Sequence, residues 1–325
     1  MKHTCKVCNV FNQNRQHTFF EMMFGSRDEF DYFECLNCGS LQIAEVPLDL
    51  GRHYPSDYLG VATADSNSPP ESVGMLRKLL RIQRSSYLMG RPNYLGWVVT
   101  KLGPNYFPYP WNWLKNTKIT PTSEILDVGC GPGSLLDALH RQGFSRAVGQ
   151  DIFQKWTLPG VTIFRKPLAA LSGQYDLIML HHSFEHMPDP LVTLMQLKKL
   201  CNPKGTILIR IPVAGCLAWR IYGGDWFQID APRHLVIPSE KGMKLLARQA
   251  GLELRKIDFD STADQFSCSE QYRLGIPLKD PHSSFQRLHD SKLFTDEQKK
   301  SFADLAKRAN DTGEGDQACF YLTPT

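Results

Sequence analysis

Two pairs of cysteines and one glycine-rich turn carry most of the chemistry that can be read directly from this chain. Cys5-Lys6-Val7-Cys8 and Cys35-Leu36-Asn37-Cys38 are C-x2-C pairs separated by 26 residues. A two-residue spacer lets both sulfurs of a pair turn toward one ion, and four thiolates complete the tetrahedral shell of Zn2+. Such a shell leaves no position for water or substrate. The spacing therefore predicts a structural ion held by Cys5, Cys8, Cys35 and Cys38 rather than a catalytic one. Gly39 directly follows the second pair, where a tight knuckle needs a positive φ. A redox use of either pair lacks the strand-to-helix setting that such a motif needs.

The second group is Asp127-Val128-Gly129-Cys130-Gly131-Pro132-Gly133, at the end of the apolar run Ile125-Leu126 and before a helical pattern over 134–142. Glycines here let the backbone pass close to a ligand and turn sharply into a helix. Gly143 ends that helix, and Ala147-Val148-Gly149-Gln150 forms a second strand closing on Asp151. A carboxylate about 20 residues past a glycine turn is placed to accept from ribose hydroxyls. The turn is not GxGxxG, so a dinucleotide is not the ligand that it specifies.

These groups must be positioned by ordinary elements, and the composition supplies them. The chain has 325 residues, 42% hydrophobic and 22% charged, with a net charge of +4. This is globular, and long enough for about two domains. No run reaches the roughly 20 apolar residues of a membrane-spanning helix, and the start MKHTCKVCNV lacks a signal-type apolar core, so a cytoplasmic protein is expected. Residues 1–60 form the cysteine module, with aromatic residues between its pairs to build a thin core. Residues 62–72 read as a polar, proline-containing linker.

Within 61–118, Leu76, Leu79, Leu80, Gln83, Tyr87 and Leu88 recur at helical spacing, with Arg77, Lys78, Arg81 and Arg84 on the other faces. Seven Trp, Tyr and Phe residues follow between 94 and 113. A basic amphipathic helix beside aromatic residues suits either a cap on the larger domain or peripheral contact of 75–113 with an anionic membrane.

ILDVGCGPG followed by VGQD resembles the first two motifs of class I S-adenosylmethionine (SAM) dependent methyltransferases. The resemblance covers about 120–323. It takes in the strand at 175–180, the following Ser183-Phe184-Glu185-His186-Met187-Pro188-Asp189-Pro190, the turn and strand at 202–209, a helix from Glu240 to Ala250, a sixth strand at 252–259 and a seventh, antiparallel one at 318–322. It implies an α/β fold, a Rossmann-like seven-stranded sheet over 119–325, with a small zinc-ribbon-like domain before it. By the same resemblance Gly129, Cys130, Gly131 and Gly133 pass beneath the methionine part of SAM. Asp127 lies near its amino group, Asp151 takes the ribose, and His181 lines the pocket. The chain departs from the family after strand three, where Arg165-Lys166-Pro167 replaces the acid that many members aim at adenine.

Methyl transfer is an in-line displacement, so the protein must align the acceptor and remove its proton where necessary. His234, between strand five and the helix at 239–250, is the first candidate base, and Glu185 with His186 the second pair. The cysteine module, CGSLQ, the segment Tyr54-Pro55-Ser56-Asp57-Tyr58 and the late histidine together resemble sugar C-methyltransferases and related glycan-cluster methyltransferases, which adds Tyr58 to the catalytic candidates. Those enzymes carry Glu-His where this chain has Arg233-His234. The expected acceptor is a small molecule: a nucleotide sugar, polysaccharide or lipid-linked intermediate, methylated on carbon or oxygen. Arg233 is a candidate clamp for its phosphate or carboxylate. An RNA base methyltransferase is the competing enzyme; residues 1–60, with five Lys/Arg against eight Asp/Glu, disfavour nucleic acid. An inactive SAM-fold partner subunit is the reading from another class.

Overall fold

The structure is a computed structural model that describes residues 2–55, 75–102, 111–154, 157–287 and 292–325. The expected linker at 62–72 and Tyr58 lie outside these residues. Strands β1 (Lys2–Thr4) and β2 (Phe11–Gln13) form a short antiparallel ribbon around the first cysteine pair. β3 (Arg15–Phe20), β4 (Glu29–Glu34) and β5 (Leu41–Ile43) form an antiparallel sheet whose β4–β5 turn holds the second pair.

The two knuckles repeat one backbone pattern. Asn9 N–H donates to the Cys5 carbonyl at 2.8 Å, and Gly39 N–H to that of Cys35 at 2.7 Å. Both residues that follow a pair take positive φ, 55° at Asn9 and 73° at Gly39. Gly39 was legible because glycine adopts this conformation at no steric cost; asparagine is the side chain that tolerates it next best.

The larger sheet has seven strands. β6 (Ile125–Val128), β7 (Ala147–Gln150), β8 (Ile163–Phe164), β9 (Tyr175–His181) and β10 (Cys201–Pro212) are parallel, and β12 (Leu252–Phe259) and β13 (Gln317–Pro324) complete it. The order is β12-β13-β10-β9-β6-β7-β8, with β13 antiparallel to both neighbours. The order reverses at β6, between β7 and β9, so the loops after β6 and β9 open a crevice at the carboxyl ends of the strands. This mixed seven-stranded sheet is the Rossmann-like arrangement of class I methyltransferases.

Helix starts are set by local chemistry. Asp189 caps Pro190–Leu200 through Val192 N–H, with proline at the first helical position. Ser239 caps Glu240–Gln249 through Gly242 N–H. Three helices among the described residues between β12 and β13, Asp264–Arg273, Ser284–Arg287 and Asp296–Asp311, lie in a stretch to which the sequence assigns no element. Met75–Leu88 forms the expected amphipathic helix and packs on Tyr94–Leu102. Gly96 makes that approach close, since a Cβ there would sit 2.3 Å from the Gln83 carbonyl oxygen.

The small sheet is not built from the cysteine module alone. Its fourth strand is β11 (Val236–Ile237), which pairs with β5 in the order β11-β5-β4-β3 and comes from the segment just after His234. The cores are shared as well: Cys5, Val7, Phe19 and Tyr32 belong to one buried cluster with Ile211, Val236, Met243 and Leu246. A thin module buries too little of its own apolar surface, and here it is completed by the larger domain.

Candidate active site

The four cysteine sulfurs gather at the two knuckles. Cys5 and Cys38 sulfurs are 3.6 Å apart, as are those of Cys8 and Cys35, and all four lie within 4.8 Å of one another. Zn–S bonds of about 2.3 Å in a tetrahedron place sulfurs about 3.8 Å apart, so the set fits such an ion, whereas a disulfide needs about 2 Å. Gln42 Nε2 donates to Cys5 Sγ at 2.9 Å, a contact suited to a thiolate.

At the other end of the chain's chemistry, Gly129, Gly131 and Gly133 take φ values of 72°, 53° and 90°. Gly129 N–H donates to Gln150 O, and a Cβ at Gly129 would meet Ser183 Cβ at 2.5 Å, so no larger residue fits. Asp151 ties the turn to the second strand: its carboxylate accepts from the N–H groups of Gly131 (3.0 Å), Phe153 (2.9 Å) and Gln154 (3.0 Å). Asp127 is buried at the strand end, and burial, then the charge of Asp151, raises its carboxyl to about 7.

Cys130 turns its thiol toward Gly149 and onto the Gly131 carbonyl at 3.6 Å. His181 packs against Trp113 with ring centroids 4.4 Å apart and planes tilted by 40°, and both its ring nitrogens lack a hydrogen-bond partner among the described residues. Burial, then the charges of Arg210 and His182, lowers its pKa to about 3.

Glu185, His186 and His234 come together, although His234 is remote from the other two in sequence. The His186 and His234 rings are 4.8 Å apart, and His234 Nε2 lies 3.8 Å from Glu185 Oε1 and 3.9 Å from Asp230 Oδ2. His186 Nδ1 is 2.8 Å from Arg233 O and His234 Nδ1 is 2.7 Å from Gln228 O. A carbonyl only accepts, so each ring donates through Nδ1 and keeps its lone pair on Nε2. Burial, then the charge of His186, lowers the His234 pKa to about 4, leaving the imidazole neutral at pH 7. Burial works to raise Glu185, but contact with His182 and the nearby His234 and His186 outweigh it and hold the carboxyl low.

Three neighbours escaped the sequence reading in this role. His182, at φ 52°, accepts from Arg210 Nη1 at 2.8 Å and turns Nδ1 to within 3.4 Å of Glu185 Oε1. Arg210 is held by Asp260 at 2.6 Å. Tyr54 reaches the cluster from the cysteine module, its hydroxyl 3.2 Å from His186 Nδ1. For His182 and Arg210 the one sequence signal is polarity within or beside apolar strands, and for Tyr54 it is the tyrosine-rich segment 54–58.

Arg233 corrects an expectation. It is fully buried and cannot clamp a substrate group. Its guanidinium bonds Asp230 Oδ1 (2.6 and 2.9 Å), Glu21 Oε1 (2.7 Å) and the His53 carbonyl (3.0 Å). It thus fastens the His234 segment to the cysteine module, as does Tyr32, whose hydroxyl donates to His234 O at 2.9 Å.

The methyltransferase-domain family matches residues 110–257. The ubiquinone biosynthesis O-methyltransferase of Bordetella avium is 30% identical over 172 residues, which cover 45% of this chain and 69% of that protein. Its counterpart from Pseudomonas aeruginosa strain LESB58 is 26% identical over 174 residues, 46% of this chain and 73% of that one. Among solved structures, a SAM-dependent methyltransferase from Mesorhizobium loti matches at 14% identity and TM-score 0.41, over 66% of this chain and 96% of that chain. One from Archaeoglobus fulgidus matches at 21% identity and TM-score 0.40, over 63% and 86%.

Proposed function

Because this chain belongs to the SAM-dependent methyltransferases, we propose that it methylates a hydroxyl of a small sugar-type acceptor, a nucleotide sugar or lipid-linked glycan, with His234 removing the proton. The observation that carries the acceptor's position is the convergence of Glu185, His186 and His234 just beyond β9, next to the glycine turn. Oxygen is favoured over carbon as the target because the curated relatives carry O-methyltransferase names. The resemblance of the cysteine module to glycan-cluster enzymes favours a sugar, and Zn2+ is the ion that four thiolates select.

SAM then lies over Gly129, Gly131 and Gly133, its amino group near Asp127 and its ribose near Asp151. Ile152 and Phe153, half-exposed and exposed beside Asp151, are the apolar surface available to adenine. The acceptor hydroxyl sits between the methyl group and the cluster, where a neutral His234 Nε2 takes the proton as the oxygen attacks. Isothermal titration with SAM tests the cofactor half. Asp151→Ala should weaken binding by about 10–100-fold, because it removes charge-assisted hydrogen bonds worth about 1.5–3 kcal/mol and frees the glycine turn. Unchanged binding in the variant would overturn the placement of SAM. Turnover of SAM with nucleotide sugars or lipid-linked glycans, and none with RNA, tests the acceptor half.

A lipid-linked acceptor would bring the enzyme to a membrane, and no helix among the described residues is long and apolar enough to cross one. The helices Met75–Leu88 and Tyr94–Leu102 contain no acid, and they expose Leu76, Leu79, Tyr94 and Trp97 beside Arg77 and Lys101. Vesicles with about one third anionic lipid should pellet the protein in low salt and release it as salt rises. Leu76→Asp with Trp97→Asp should abolish pelleting; pelleting that survives both would remove these helices from the account.

A further inference from the structure

Glu185 is wholly buried, and its carboxylate is weakly held: His182 Nδ1 at 3.4 Å and His234 Nε2 at 3.8 Å approach Oε1, and neither oxygen makes a well-formed hydrogen bond among the described residues. A carboxylate so loosely paired in the interior is costly, and such groups are satisfied by a closer partner or by a cation. The side chains around it are arranged to accept a cation. One ligand atom each from Glu185, His186 and His234 lies within 4.8 Å of the others. Bonds of about 2.1 Å to one ion need ligand atoms about 3–4 Å apart, a contraction within reach of small side-chain rotations. Both imidazoles donate through Nδ1 to a backbone carbonyl, Arg233 O and Gln228 O. That bond fixes ring orientation and presents Nε2, as in histidines that ligate metals.

We propose that Glu185, His186 and His234 form a second cation site, distinct from the cysteine cluster, that holds a divalent ion of the Zn2+, Mn2+ or Fe2+ class with open positions for acceptor oxygens. Two nitrogen ligands and one carboxylate select such ions over Ca2+ or Mg2+, and three protein ligands leave coordination positions free. The inference rests on the reading that this cluster faces the acceptor, and it changes one step of it. Glu185, His186 and His234 would hold the ion, His234 would then serve as a ligand rather than as the base, and the ion would supply Lewis acidity that lowers the pKa of an acceptor hydroxyl.

The test uses the full chain with its cysteine-bound ion in place. Metal analysis and Mn2+ titration followed by electron paramagnetic resonance should show one further equivalent bound to the wild type. Glu185→Gln and, separately, His186→Ala should each weaken Mn2+ binding at least about 100-fold, as expected when one of three ligands is lost, while one cysteine-bound equivalent is retained as the sign of a folded chain. Absence of a second equivalent in the wild type, or Mn2+ binding by both variants equal to wild type, overturns the site. If the site fails in this way and His234→Ala still removes turnover, the general-base reading stands alone. If the ion binds but no SAM turnover with any hydroxyl acceptor is found, the functional reading fails and the cation site does not.

Discussion

His234→Ala should lower kcat by about 10²–10⁴-fold while SAM affinity changes by no more than about twofold. The split follows from where His234 sits. It contacts Glu185, Asp230, His186 and the Gln228 carbonyl, and these lie apart from the glycine turn and Asp151. What the substitution removes is a lone pair on Nε2, kept uncharged at pH 7 by burial. His234→Asn separates chemistry from packing, since its amide can still donate toward Gln228 O but has no basic nitrogen. It should lose as much activity as His234→Ala with a smaller change in melting temperature. An Asn variant within about threefold of wild-type kcat would show that His234 orients its neighbours and does no chemistry.

The parts of this molecule that were legible in the sequence are those whose chemistry is local. The cysteine pairs announce a knuckle because two sulfurs three residues apart need nothing else, and the glycine turn announces itself because its backbone conformation excludes side chains. The first two strands of the large sheet follow from apolar runs around the glycine turn and the Gly143 stop, and the later ones follow from the resemblance to class I methyltransferases. What could not be read is whatever depends on distant pairing. β11 is two residues long and becomes a strand only because β5 offers an edge to it. His182 has no motif to mark it, and acquires a role only through Arg210 and Glu185. Arg233 looked like a substrate clamp because a lone arginine beside a histidine suggests an anion. Its partner Glu21 is 212 positions away in the chain, and no spacing rule reaches that far.

Arg233→Ala should destabilise the protein by about 3–5 kcal/mol, because removing one member of a buried ion cluster leaves the others charged and unsolvated. The two carboxylates that remain, Glu21 and Asp230, are 1% and 8% exposed. Glu21 keeps the N–H groups of Phe24 and Ser26, while Asp230 loses the guanidinium that bonds its Oδ1. The arginine pKa is raised, for although burial works to lower it, Asp230 and Glu21 prevail. The sign of the coupling is therefore specific. Adding Glu21→Gln to Arg233→Ala removes a stranded charge, so the double variant should be more stable than Arg233→Ala alone, by about 1–2 kcal/mol, whereas Glu21→Gln in the wild type should destabilise. Urea denaturation of the four proteins reads this directly. Simple additivity of the two losses would mean that solvent reaches the cluster in the folded state. The observed coupling would make Arg233 the bolt between the cysteine module and the His234 segment. If the four cysteines hold the proposed ion, stripping it should then disturb the acceptor side of the site before it disturbs SAM binding, because Glu21, His53 and Tyr32 bond to the His234 segment.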